Sequence, residues 1–153
     1  LKKLPPRDSV DVLVDLPIGA FFPRQYVPDM RIKIDLYRRL SRLVAEKDLD
    51  EFRAELVDRF GPLPAPVEQL VQLARLRIWA HGWQIGSIHV EGQYVVLGYK
   101  SRRQLDLLVA RSQGQLRIAD DQSAYLPLGK EIAEPERIME SLETLLQRIE
   151  PSH

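Results

Sequence analysis

Apolar and acidic residues alternate from Val10 to Leu16 (VDVLVDL) with a period near two, which predicts a strand with one wet face, ended by Pro17. The next stretch, PIGAFFPRQYVPD, is too punctuated by proline and glycine for a helix or a long strand, yet too apolar to float free. It reads as an ordered connection pinned by Phe21, Phe22 and Tyr26, more as a lid on the core than as an exposed aromatic surface. Asp29 then caps a helix from about Met30 to Val44, with Leu36, Leu40, Leu43 and Val44 on one face and Met30, Ile32 and Ile34 less regular. Asp48 and Glu51 have capping-box spacing and open a second helix whose inner side is Leu49, Phe52, Leu56 and Phe60. Gly61 suits the left-handed position after that helix, and Pro62 forbids its continuation. Pro64 and Pro66 stiffen the joint, with Pro66 suited to the first position of a third helix running to about His81. The short joint makes helices two and three packed neighbours.

From Gly82 the texture changes. Ser87 to Glu91 and Tyr94 to Tyr99 form a hairpin turned at Gly92 and Gln93. Ser101 and Gln104 cap a helix carrying Leu105, Leu108 and Val109, which Gly114 closes. Gln115 to Ala119 and Ser123 to Pro127 form a second pair of strands around Asp120 and Asp121, and a last helix runs from about Pro135 to Ile149. The two strand-strand-helix units share periodicity but little residue identity, so no internal duplication is inferred. The expected fold is α+β: an N-terminal strand and three-helix part, followed by a small module of two hairpins and two helices. Residues 1–9 read as a linker and 10–150 as one domain, mainly helical over 10–82 and α+β over 83–150.

Composition narrows the function classes. At 153 residues, 44% of them apolar, the chain can bury a sizeable core. Twenty-two basic residues balance twenty-two acidic ones, which removes the whole-domain field of a dedicated nucleic-acid binder while leaving room for a local patch. With no cysteine, disulfides, thiol nucleophiles and thiolate metal sites are excluded. Neither a membrane span nor a cleavable signal peptide is read in the chain. Leu1 in place of an initiator methionine points to a fragment of a longer protein.

Catalytic chemistry finds no footing. There is no phosphate-cradling glycine loop, no nucleophile-elbow serine and no ligand cluster around His81, His89 or His153. Arg31, Lys33, Arg38, Arg39 and Arg42 give the first helix a basic face. A solvated surface or interhelical ion pairing is favoured there over phosphate contact, since no aromatic interleaving supports the latter. Trp79 and Trp83, which bracket the end of helix three, read as core packing rather than interface anchors. The most informative cluster is Glu55, Asp58 and Arg59, whose spacing lets all three project together from the second helix. The residues alone favour an intrachain network: Arg59 on Glu55, and Asp58 on a backbone amide or a basic residue of the first helix. The alternative is a charged contact across an interface.

LPIGAFFPRQYVPD, RIKIDLYRRL and ELVDRFGPLPAPVEQLVQLARLR, in that order, resemble the C-terminal domain of bacterial transcription-repair coupling factors, with DRFGPLP the most specific piece. The resemblance covers about Leu16 to Arg77 and is only architectural from Ser87 onward. It implies a cytosolic, multidomain, ATP-driven translocase on double-stranded DNA that displaces stalled RNA polymerase and recruits excision repair through UvrA. ATP and magnesium belong to the parent protein, and no cofactor is expected in this domain. The resemblance further implies a non-catalytic domain that packs on a UvrB-like module, masks UvrA binding and restrains the motor. Glu55, Asp58 and Arg59 are the residues it implicates in that contact, whereas Phe21, Phe22, Tyr26 and Pro28 fall to structure. Accessory DNA contact through the basic helix, or a purely structural terminal role, are the other readings.

Overall fold

The computed structural model describes residues 11–129 and 134–147. The expected linker over 1–9, the start of the first strand at Val10, the end of the last helix at Ile149 and the tail lie outside the described residues. The element order is that of an α+β chain: β1 (Leu13–Asp15), α1 (Met30–Ser41), α2 (Glu46–Phe60), α3 (Ala65–Gly82), β2 (Ile85–Glu91), β3 (Tyr94–Tyr99), α4 (Arg102–Arg111), β4 (Arg117–Ile118), β5 (Ser123–Pro127) and α5 (Pro135–Leu146). Among the described residues the backbone forms two compact units, one of residues 11 and 19–78, the other of 12–18, 79–129 and 134–147.

The first unit is built on a core of Phe22, Val27, Leu36, Leu40, Leu49, Phe52, Leu56, Val67, Val71 and Ala74, contributed by the aromatic connection and all three helices. Asp29 caps α1 by accepting from the amides of Arg31 and Ile32 at 2.8 and 3.1 Å. The helix stops at Ser41, short of the expected Val44, where Ser41 Oγ donates to the carbonyl of Arg38 at 2.7 Å and competes with the helical ladder. Helix α2 begins at Glu46, two residues before the expected capping box. Asp48 is therefore a first-turn carboxylate that favours the helix dipole rather than a cap. Arg75 of α3 explains the earlier start, because it binds Glu46 at 3.2 Å and Asp50 at 2.9 Å and so fixes the first turn. Arg53 of α2 likewise binds Glu68 of α3.

The joint after α2 follows sequence logic closely. Gly61 sits at φ 94° and ψ −171°, a region essentially reserved for glycine, and its amide closes the helix on the carbonyl of Val57 at 2.9 Å. The carbonyl of Pro64 accepts from the amides of Val67 and Glu68 and starts α3, with Ala65 its first residue and Pro66 its second. Tyr26 locks this end from the aromatic connection: its hydroxyl donates toward the carbonyls of Gly61 at 2.8 Å and Leu56 at 3.2 Å, and its ring tilts on Phe60. Burial raises the Tyr26 hydroxyl above its ordinary pKa. Phe22 is buried against Tyr37, whose hydroxyl accepts the Phe22 amide at 2.8 Å, while Phe21 stays half exposed.

The second unit is a five-stranded sheet in the order β1-β2-β3-β5-β4 with α4 and α5. Both expected hairpins form, and pairing of β3 with β5 merges them into one sheet. The first turns at Gly92, φ 56°, and Gln93. β1 pairs in parallel with β2, Val14 beside Ile88, so hydrogen bonding rather than chain order places this strand with the sheet. Ser101 caps α4 through the amide of Gln104 at 3.2 Å. Leu105 and Leu108 of α4 and Ile138, Met139, Leu142, Leu145 and Leu146 of α5 are buried. The indole nitrogen of Trp83 donates to the carbonyl of Leu146 at 2.8 Å. Trp79 is buried too, and its indole nitrogen has no acceptor among the described residues.

Two substitutions test the joint. Added at Gly61, a Cβ meets nothing within 4 Å. Gly61→Ala is therefore a pure backbone change, expected to cost about 1–3 kcal/mol. Tyr26→Phe removes the hydroxyl donor from the Gly61 carbonyl and is expected to cost about 1 kcal/mol. Urea unfolding of the chain checks both, and a wild-type midpoint for Gly61→Ala would show that the positive-φ cap is not needed.

Candidate functional site

The charged cluster sits on the outer part of α2. Glu55 is half buried, whereas Asp58 and Arg59 are exposed. Glu55 does not simply pair one turn along its own helix. Arg39 of α1 grips it with both terminal nitrogens, at 2.7 Å to each carboxylate oxygen, and Arg59 adds a contact of 3.1 Å to Oε2. The two guanidinium groups also lie over rings of α2, Arg39 over Phe52 and Arg59 over Phe60, at 5.2 and 5.0 Å from the ring centroids. The hydrogen bonds from Arg39, with those from Arg59 behind them, hold the Glu55 carboxyl down at about 2, and the same pairing raises Arg39.

Asp58 is different. It points from the same helix but has neither hydrogen bond nor ion pair among the described residues, so the expected internal partner for it is not found. Beside it Val57 is 39% exposed, an apolar residue next to an uncommitted carboxylate. Sequence spacing brought Glu55 and Arg59 together correctly but missed Arg39, which is sixteen residues away from Glu55. No local pattern could have paired them.

The five basic residues of the predicted first helix, of which Arg42 falls just past α1 as its C-cap, do not act as one face. Arg39 is committed to Glu55, and Lys33 is half buried. Arg31, Arg38 and Arg42 are exposed at spacings of seven and four, which aligns them along one stripe without an ion pair among the described residues. A second exposed stripe went unread as such: Met30, Ile34 and Tyr37, at spacings of four and three, are 63%, 50% and 36% exposed. The irregular fit of Met30 and Ile34 to the core face was the available signal.

Among the described residues no group of three or more His, Asp or Glu could hold a metal ion, and no helix is long and apolar enough to cross a membrane. A cavity of about 670 Å³ in the second unit is lined by residues including Arg111, Gln113, Leu126, Glu140 and Thr144, and contains none of the sequence-predicted site residues.

The Glu55 contact has a defined pH signature. Its carboxyl titrates lower in the folded chain, near 2, than its ordinary value of 4.5. Stability from the pair is therefore complete above about pH 4.5 and is lost as pH falls toward 2. Since both side chains are more than a third exposed, at 38% and 36%, screening limits the effect to about 1 kcal/mol. Urea unfolding of wild type and Glu55→Gln is expected to differ most at neutral pH, with the gap closing between pH 4.5 and 2. A gap independent of pH would assign the loss to packing instead.

Comparison with known proteins places this geometry in a family. The TRCF domain model matches residues 16–108. Transcription-repair-coupling factors of Mycobacterium bovis, Escherichia coli and Myxococcus xanthus are 38%, 35% and 31% identical over 78, 79 and 122 residues, or 51%, 52% and 76% of this chain. Those alignments span only 6%, 7% and 10% of the relatives' own lengths. In fold, the chain is similar to the crystal structure of the C-terminal domain of a transcription-repair coupling factor, with a TM-score of 0.75 over 92% of each chain at 18% identity. The helical joint, the aromatic connection and the first hairpin all fall inside the matched stretch, and the chain belongs to the TRCF domain family.

Proposed function

We propose that this domain is the non-catalytic regulatory module of a transcription-repair coupling factor, working in the cytosol. In this reading it packs on a UvrB-like module of its parent through the outer face of α2, masks UvrA binding, and restrains an ATP-driven double-stranded DNA translocase until stalled RNA polymerase is engaged. ATP and magnesium act elsewhere in the parent. The observation that carries the reading is Asp58: exposed, without a side-chain partner among the described residues, and set beside Val57 and the Glu55–Arg59 pair.

The division of labour among the three charges supports a releasable contact. Glu55 and Arg39 are used inside the domain, so they hold α2 in place and present Arg59 in a fixed pose. Asp58 retains its full capacity for a cation on another module. A surface charge pair of this sort gives specificity and register at modest affinity, which suits a restraint that has to open. The accessory-DNA reading is weaker on the same geometry, because the interhelical pair takes Arg39 out of the proposed phosphate-binding set.

Reversing the charge at Asp58 tests the proposal. Asp58→Arg touches no internal partner, so the thermal midpoint of this chain is expected to stay within about 0.5 kcal/mol of wild type in stability terms. In the parent protein the same change is expected to raise capture of UvrA in a pull-down. Unchanged UvrA capture by a folded variant would sink the masking role, and a large stability loss would favour the purely structural reading.

A further inference from the structure

The outer side of α1 carries a feature the regulatory reading does not use. Met30, Ile34 and Tyr37 follow one another along the helix and stay exposed, and the 2.8 Å hydrogen bond from the Phe22 amide to the Tyr37 hydroxyl brings half-exposed Phe21 beside the end of this stripe. At 100° per residue, the stripe lies about 140–180° around α1 from Arg39, the residue that faces α2. It is thus a different surface of α1 from the one turned toward α2. Cations flank it on either side: Lys33 on one, and the aligned Arg31, Arg38 and Arg42 on the other, with Asp35 the one acid among them. None of these four cations has an ion pair among the described residues.

We infer that this stripe is a docking strip for an acidic amphipathic helix of a separate protein. Apolar residues at helical spacing recognise the apolar face of a partner helix, as in helix-on-groove binding. The flanking cations choose a partner whose borders are acidic and disfavour a basic one. Duplex DNA fits less well, since phosphate contact needs the arginines but leaves the exposed Met30 and Ile34 without a role. Some seven residues of helix cover only about 10 Å, so the footprint is small and the complex weak and transient.

Nuclear magnetic resonance on the isotope-labelled 153-residue chain tests this directly. Three synthetic peptides serve as probes: an amphipathic helix with leucines on one face and glutamates on its borders, the same peptide with lysines for glutamates, and a scrambled glutamate peptide. The expected result is that only the first moves the amide signals of Phe21, Met30, Ile34 and Tyr37, and does so less at high salt. Ile34→Glu is expected to weaken that binding about tenfold or more with the thermal midpoint unchanged. Ile34→Ser provides the same loss of the apolar contact should the glutamate variant fold poorly. Equal binding of the lysine peptide, or shifts confined to other elements, would overturn the inference. So would movement of the α1 signals by duplex DNA that survives Ile34→Glu and is lost when Arg31, Arg38 and Arg42 become alanine, which would make the strip a nucleic-acid surface.

Discussion

The two-pronged grip of Arg39 on Glu55 is the contact that gives the helical unit its chemistry. Apolar burial supplies the stability: Leu36 and Leu40 of α1, and Leu49, Phe52 and Leu56 of α2, are all shielded from water. A core of that kind is non-directional and tolerates rotation of one helix against another. A guanidinium–carboxylate fork does not, because its two parallel bonds form at one orientation. The pair therefore selects a register for α1 on α2, and Arg75 and Arg53 do the same between α2 and α3. Being only partly buried, the Arg39–Glu55 pair escapes the large desolvation penalty that makes buried ion pairs poor stabilisers.

That register decides which charges remain for a partner. With Glu55 bound on one side by Arg39 and on the other by Arg59, the anion of the cluster is already satisfied. Asp58 is left with its valence open, and Arg59 is held half engaged. The same pair turns the basic helix from five loosely related cations into a committed Arg39 and a separate outer row. One ion pair thus accounts for both what the α2 face presents and what the α1 face lacks.

Much of this was legible in the sequence wherever the rule is local. Asp29 as a cap, Gly61 as a stop, Ser101 with Gln104, and the turn at Gly92 and Gln93 all rest on interactions within four residues, and each is present. The start of α2 was misplaced because Arg75, far along the chain, supports a first turn that the local capping pattern would begin at Asp48. The parallel docking of β1 on β2, separated by more than seventy residues, has no sequence signature of its own. The site divided the same way. Glu55 and Arg59 were readable as an i, i+4 pair, whereas for Arg39 the sequence favoured a solvated face or interhelical ion pairing without naming Glu55, because that partner lies on another helix. Periodicity reports which side of a helix is apolar but not which of two apolar stripes finds a core, and so the exposure of Met30 and Ile34 showed in the sequence only as their irregular fit to the core face.

The three charges of the α2 face are consequently unequal as probes of function. Removing Glu55 leaves two arginines without their carboxylate and loosens α1 from α2, so any change in partner binding would carry a folding contribution within it. Removing Arg59 takes away one contact to Glu55 and the cation lying over Phe60, a smaller but still mixed perturbation. Asp58 alone makes no side-chain hydrogen bond or ion pair among the described residues, so changing it breaks none of them. A restraint that must be specific and yet release is well served by this separation: the residues that fix the surface are not the residue that meets the partner. The partner contact can then weaken or strengthen without the domain's own stability following it.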